Sequence, residues 1–125
     1  MPLDPGRSAR ASLVVGDQDS AIAWRSGSVD VLATPRLIAL CEEACCAAVA
    51  DGLDARSTSV GVRVQFDHLA PLRLGSTVEA EATLEKVEGR RLTFTVSASD
   101  AAGLVGAGRM TRVVVDVDTF ESKAR

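Results

Sequence analysis

The sequence predicts an α+β domain in which an antiparallel sheet curls around one buried helix. Three observations carry this: one strongly apolar stretch with helix start and stop signals after Thr34, period-two alternation through everything that follows it, and short turns between the later segments. The chain has 125 residues, 46% of them hydrophobic and 25% charged, so one globular domain is expected and disorder along its length is excluded.

Residues Met1 to Arg10 carry Pro2, Pro5 and Gly6 without periodicity and are expected to be a flexible tail, ahead of a domain over 11–120 and a C-terminal tail over 121–125. ASLVV (Ala11 to Val15) reads as a short strand and AIAW (Ala21 to Trp24) as another, with RSGS (Arg25 to Ser28) as a loop. Thr34-Pro35 then starts the helix. A Thr oxygen accepts a free backbone N–H there, and the fixed φ of Pro suits the first turn. Leu37, Leu40, Cys41, Ala44, Cys45 and Ala48 recur at helical spacing up to the stop at Asp51-Gly52. Apart from Arg36, Glu42 and Glu43 the helix is apolar after Pro35, which makes it a core helix.

From Ser59 to Ala70, Val60, Val62, Val64, Phe66, His68 and Ala70 share one face of a strand. Thr77 to Val87 places Val78, Ala80, Ala82 and Leu84 inward, and Leu92, Phe94, Val96 and Ala98 do the same after a Glu88-Gly89 hairpin turn. The last strand runs from Leu104 to about Asp116, where Gly106 and Gly108 mark a bulge or a close backbone approach. One helix wrapped by such a sheet is the layout of a hotdog fold. Its free sheet edge predicts at least a homodimer.

Composition narrows the partners. Lys and Arg number 14 against 17 acids, a net charge of −3, and with four aromatic residues the chain suits neither a phosphate backbone nor stacked bases, so nucleic acid is not expected. No apolar run spans a bilayer and no secretion signal opens the chain, so a cytoplasmic protein without membrane contact is expected. Cys41, Cys45 and Cys46 lack zinc spacing and a disulfide pattern, and read as small core-filling thiols.

Three polar residues stand where apolar or purely structural ones would do. Thr34 caps the helix or lies beside its N-terminus, where a carbonyl oxygen gaining charge would be stabilised. Glu42 is surrounded by apolar neighbours at helical spacing, whereas Glu43 shares a face with Arg36 and suits a solvated position. His68, the only His, is either a hydrogen-bonded core residue or a general acid or base. A base, a carboxylate and a hydroxyl at a helix start are the parts that acyl transfer needs.

Over Val31 to Phe120 the chain resembles the fluoroacetyl-CoA thioesterase-like family of hotdog-fold acyl-CoA thioesterases. The resemblance rests on LATPRLIALCEEACCAAV, TSVGVRVQFDHLAP and VEGRRLTFTVSASDAAGLVGAGRMTRVVVD. It implies that Thr34, Glu42 and His68 are catalytic for hydrolysis of a short or medium acyl-CoA or carrier-bound thioester, with Thr34 supporting the carboxylate and the oxyanion. Gly61 would let substrate approach the backbone, and Arg90, Arg91, Arg109 and Arg112 are candidates for CoA phosphates, Arg90 and Arg91 also suiting an exposed hairpin. No metal or redox cofactor is implied. The fluoroacetate-specific member has a Phe-rich lid, whereas WRSGSVDVLA offers only Trp24 as an aromatic, so fluoroacetyl selectivity is not expected. A non-catalytic acyl-thioester binding or sensing module is the alternative; a hydratase lacks its acid–base pattern here.

Overall fold

A computed structural model describes residues 3–125; Met1 and Pro2, part of the expected tail, lie outside the described residues. Five strands form one sheet: β1 (Ser8–Val14), β2 (Ser57–His68), β3 (Thr77–Glu88), β4 (Arg91–Asp100) and β5 (Gly103–Asp116). Their order is β1-β3-β4-β5-β2 and every neighbouring pair is antiparallel. The long helix α1 (Thr34–Val49) lies against one face, and a short helix α2 (Val117–Ser122) follows β5.

The expected alternation holds through the centre of the sheet. Val78, Ala80, Ala82 and Leu84 of β3 and Leu92, Phe94 and Ala98 of β4 are fully buried against Leu37, Leu40, Cys41, Ala44 and Cys45 of α1. Burying such side chains contributes about 1.5–3 kcal/mol for each large one, and the Ala and Cys positions let helix and sheet approach closely. The helix rests mainly across β1 and β3 and barely touches β2. This leaves the inner side of β2 uncovered, with Val64 at 42% exposure and Val62, at a register shift, at 52%, on a strand whose outer edge has no neighbour among the described residues.

Several boundaries differ from expectation for physical reasons. β1 reaches back to Ser8 because Ala9, Ala11 and Leu13 alternate toward the core, and Gly6 already donates its N–H to the Leu84 carbonyl. The tail expected over 1–10 is therefore shorter, and α2 carries ordered structure to Ser122 beyond the expected boundary at 120. AIAW is a turn, not a strand: Ser20 Oγ accepts the Ala23 N–H and the Trp24 N–H bonds the Ser20 carbonyl. In β2 a register shift between Gly61 and Arg63 breaks the even alternation, so Ser59 and Gly61 face inward before it and Val64, Phe66 and His68 after it. Gly106 and Gly108 sit on the β2 side of β5, where a Cβ would strike the Phe66 ring or the Gln65 carbonyl, so close approach is their role. Among the described residues no helix is long and apolar enough to cross a membrane.

Candidate active site

Ala33, not Thr34, occupies the capping position of α1, and its side chain has no oxygen to offer. Thr34 is already helical, and its hydroxyl makes no cap. It lies 2.8 Å from Nδ1 of His68, the last residue of β2. Helical side chains lean toward the N-terminus, which aims this hydroxyl past the helix end at the strand. The other imidazole nitrogen, Nε2, is buried without a hydrogen-bond partner among the described residues. A buried polar atom left in this way costs roughly 1–3 kcal/mol, and it marks a position where another group is needed.

Thr34 and His68 open onto a cavity of about 310 Å³, walled by Ser26, Gly27, Val29 and Pro71 among others. The wall segment is tied to the first turn of α1. Asp19, 4% exposed, accepts from Arg36 Nε at 3.0 Å and from the Gly16 N–H at 2.8 Å, while its carbonyl accepts the Ala33 N–H. Trp24 Nε1 donates to the Gln18 carbonyl at 2.8 Å, which folds the wall back on its root.

Glu42 belongs to a second cluster. It stands eight positions after Thr34, about 12 Å along the helix. Its Oε2 accepts from an Arg112 terminal nitrogen at 2.9 Å, and Arg112 also donates to Ser59 Oγ and to the Ser59 carbonyl at 2.9 Å each. Arg112 is buried, so it is not a surface contact for phosphate but the group that fixes the carboxylate. Gly61 lies directly beneath: a Cβ there would come within 2.7 Å of Glu42 Oε2. Glu43 takes the other path, pairing with Arg36 at 3.1 Å with its side chain 58% exposed. The choice of Glu42 over Glu43 as the enclosed carboxylate agrees with this geometry.

The chain thus brings Thr34 and His68 together, and Glu42 with Gly61, but does not join the two clusters. Gly61 and His68 are some seven residues apart on one strand, about 20 Å at the usual rise. Sequence reasoning missed the roles of Arg112, Ser59 and Asp19. For Arg112 a signal existed, because alternation from the core residue Met110 puts it on the inward face of β5. Arg90 and Arg91 are exposed at the β3–β4 hairpin, at the sheet end opposite His68 of the same chain. Burial pushes the Cys41 and Cys45 thiols up to about 12, with the Glu42 carboxylate adding to the effect on Cys41, so neither supplies a thiolate near neutral pH. Among the described residues no cluster of His, Cys, Asp and Glu is suited to hold a metal ion.

Comparison with known proteins places this geometry in context. The family described as fluoroacetyl-CoA-specific thioesterase matches residues 15–118. The fluoroacetyl-CoA thioesterase of Streptantibioticus cattleyicolor is 38% identical over 96 residues, covering 77% of this chain and 69% of that protein. A solved structure of the fluoroacetyl-CoA thioesterase FlK superposes with a TM-score of 0.92 at 29% identity, over 98% of this chain and 96% of that one. A hot-dog-like protein from Thermanaerovibrio acidaminovorans gives a TM-score of 0.87 at 29% identity, over 97% and 90% of the two chains.

Proposed function

Because this chain belongs to the fluoroacetyl-CoA-specific thioesterase family and is a thioester hydrolase, we propose that it hydrolyses a short or medium acyl-CoA at a site completed by a twofold dimer. Thr34 and His68 of one protomer meet Glu42 of the other. The single observation that carries this reading is that the Thr34–His68 pair and the Glu42–Arg112 pair are each built and aimed, yet lie apart within one chain.

The free edge of β2 supports the assembly. Its unpaired backbone groups and the exposed Val62 and Val64 favour antiparallel addition of a second copy of the same strand. An axis near Val64 and Gln65, the middle of the stretch between Gly61 and His68, sets residue 61 of one copy opposite residue 68 of the other. Glu42, which sits over Gly61, then approaches the unpartnered Nε2 of the neighbouring His68. No metal or other cofactor enters the scheme.

The chemistry follows from the groups. Thr34 O–H donates to Nδ1 of His68, which leaves Nε2–H as a donor toward the thioester oxygen or the departing sulfur. The Glu42 carboxylate, held by Arg112, takes the proton of an attacking water or attacks the carbonyl itself. The C–S bond breaks and Nε2–H of His68 protonates the departing sulfur, so that CoA leaves as the thiol; the acyl group leaves as the acid directly when water attacks, or after water hydrolyses the acyl–Glu42 anhydride when the carboxylate attacks. Gly61 leaves room for carboxylate and substrate above the β2 backbone. The wall of Ser26, Gly27 and Val29 carries no aromatic ring, which supports acyl groups beyond fluoroacetyl.

The test is release of free thiol from a panel of acyl-CoAs by the purified protein. Turnover that falls by about 100-fold or more in Glu42→Gln and in His68→Ala is expected, in the range for losing a general acid or base. Normal turnover in both variants removes these residues from the mechanism, and tight binding without thiol release by the unmodified protein points to a sensing module instead.

A further inference from the structure

Among the described residues Asp19 is the only buried acid, and no step of the proposed hydrolysis uses it. We infer that Asp19, acting through Arg36, is a positioning residue for the active site: it holds the first turn of α1 so that the Thr34 hydroxyl stays on Nδ1 of His68. The inference rests on the thioesterase reading above for its effect on rate, while the placement of the imidazole can be measured without turnover.

The first turn of α1 has no side-chain cap of its own. A helix begins with backbone N–H groups that lack partners within it, and a Ser, Thr, Asp or Asn just before the first turn ordinarily takes one of them. Here that position is Ala33, and the neighbouring hydroxyl, Thr34, is turned to His68 at 2.8 Å instead. An uncapped helix start frays, and fraying of the first residue would carry the hydroxyl off the ring.

Asp19 supplies from outside what the helix lacks. Its carbonyl accepts the Ala33 N–H at 2.9 Å, and both carboxylate oxygens are engaged, Oδ1 by Arg36 Nε at 3.0 Å and Oδ2 by the Gly16 N–H at 2.8 Å. Arg36 stands two residues after Thr34 in the same turn. The Asp19 and Arg36 side chains are 5% and 18% exposed, so water screens this charge-assisted bond little and it fixes geometry firmly. The second partner of Arg36, Glu43 at 3.1 Å, is exposed, and a pair of that kind is weak.

The base from which Asp19 acts is itself tied down. The Ala21 N–H donates to the Val31 carbonyl and the Leu32 N–H to the Leu72 carbonyl, each at 2.8 Å, which closes the neck of the loop between Asp19 and Ala33. Ser20, Ala21 and Leu32 are buried in this neck, whereas Ile22 and Val29 farther out are more than half exposed. Arg25 in the same loop has a φ of 58°, a left-handed conformation that a residue with a side chain keeps only when its surroundings impose it. With little packing farther out, the shape of the loop is imposed from its neck, where Asp19 sits.

The experiment compares Asp19→Asn and Arg36→Met with the unmodified protein. Asn keeps the size of the side chain without its charge, and Met keeps the stem of Arg36 without its guanidinium. His68 is the only imidazole in the chain, so 15N NMR of the full protein reads its tautomer directly. The unmodified protein should show one tautomer with the proton on Nε2, and both variants a mixture of two. Their kcat on acyl-CoA should fall by ~10-fold or more with KM within ~3-fold, whereas Arg36→Lys, which keeps a cationic donor for Asp19, should retain the single tautomer and at least about a third of kcat. Glu43→Gln should leave spectrum and rates unchanged. A single Nε2–H tautomer that persists in a folded variant, or a kcat that does not fall in it, overturns the inference, and so does an effect of Glu43→Gln equal to that of Arg36→Met. If one variant does not fold, the other decides. If the unmodified protein hydrolyses no acyl-CoA, the thioesterase reading fails by itself; a tautomer mixture in the variants then still supports the positioning role, and an unchanged ring overturns it.

Discussion

The hydroxyl of Thr34 and Nδ1 of His68 are 2.8 Å apart although 34 residues separate them in the chain. The bond joins the first residue of α1 to the last residue of β2, one of the two edge strands of the sheet. It fixes the ring's orientation and leaves Nε2 as the nitrogen that is buried without a hydrogen-bond partner among the described residues.

Thr34→Ala should lower kcat by roughly 10–100-fold with little change in melting temperature, because a hydroxyl that caps nothing contributes little to the helix. Thr34→Ser should retain most activity. Kinetics beside thermal melts of the three proteins check this. A loss of about 1 kcal/mol in stability with unchanged kcat would restore the capping role.

Gly61→Ala and Arg112→Met should both lower kcat while leaving the fold intact by circular dichroism. The first displaces the Glu42 carboxylate, since a Cβ at 61 meets Oε2 at 2.7 Å; the second removes the guanidinium that orients it. Arg112→Met should also destabilise the chain, because breaking a buried pair costs about 3–5 kcal/mol and Glu42, with its side chain 35% exposed, will show less than that. Arg112→Met with unchanged kcat would separate Glu42's orientation from catalysis.

The buried thiols predict an alkaline limit on stability. Burial raises Cys41 and Cys45 from the ordinary value of 9.0 to about 12 in the folded chain, so the folded state keeps protons that the unfolded state releases. That contribution is fully present below pH 9 and is lost as the pH climbs toward 12. Melts between pH 8 and 11 should therefore fall more steeply than those of a Cys41→Ala, Cys45→Ala double variant. Parallel slopes would show that the thiols are not the cause.

The residues explain how much could be read in advance. Val78 to Leu84 and Leu92 to Ala98 were legible because the sheet there has a helix on one side and water on the other, and alternation records that directly. The shift between Gly61 and Arg63 was not, since one extra residue in a strand leaves no compositional mark and reverses which side chains face in. AIAW resembled a strand because the turn is made by Ser20 and by backbone bonds, with no Gly or Pro within it. Thr34, Glu42 and His68 stand out in the sequence as polar residues where apolar or purely structural ones would do. What local pattern did not carry was the direction of the Thr34 hydroxyl, which a residue on another element decides, and the burial of Arg112 against Glu42, 70 positions away.

The most direct measurement is complementation between two inactive variants. Glu42→Gln and His68→Ala proteins are purified separately, shown to be inactive, mixed under conditions that exchange subunits, and assayed for thiol release. A site shared between protomers predicts recovery of up to about a quarter of the unmodified activity, because half the dimers at random exchange are mixed and each mixed dimer holds one intact site of two. No recovery, with subunit exchange verified by mass spectrometry, would contradict a site built from Glu42 of one chain and His68 of the other.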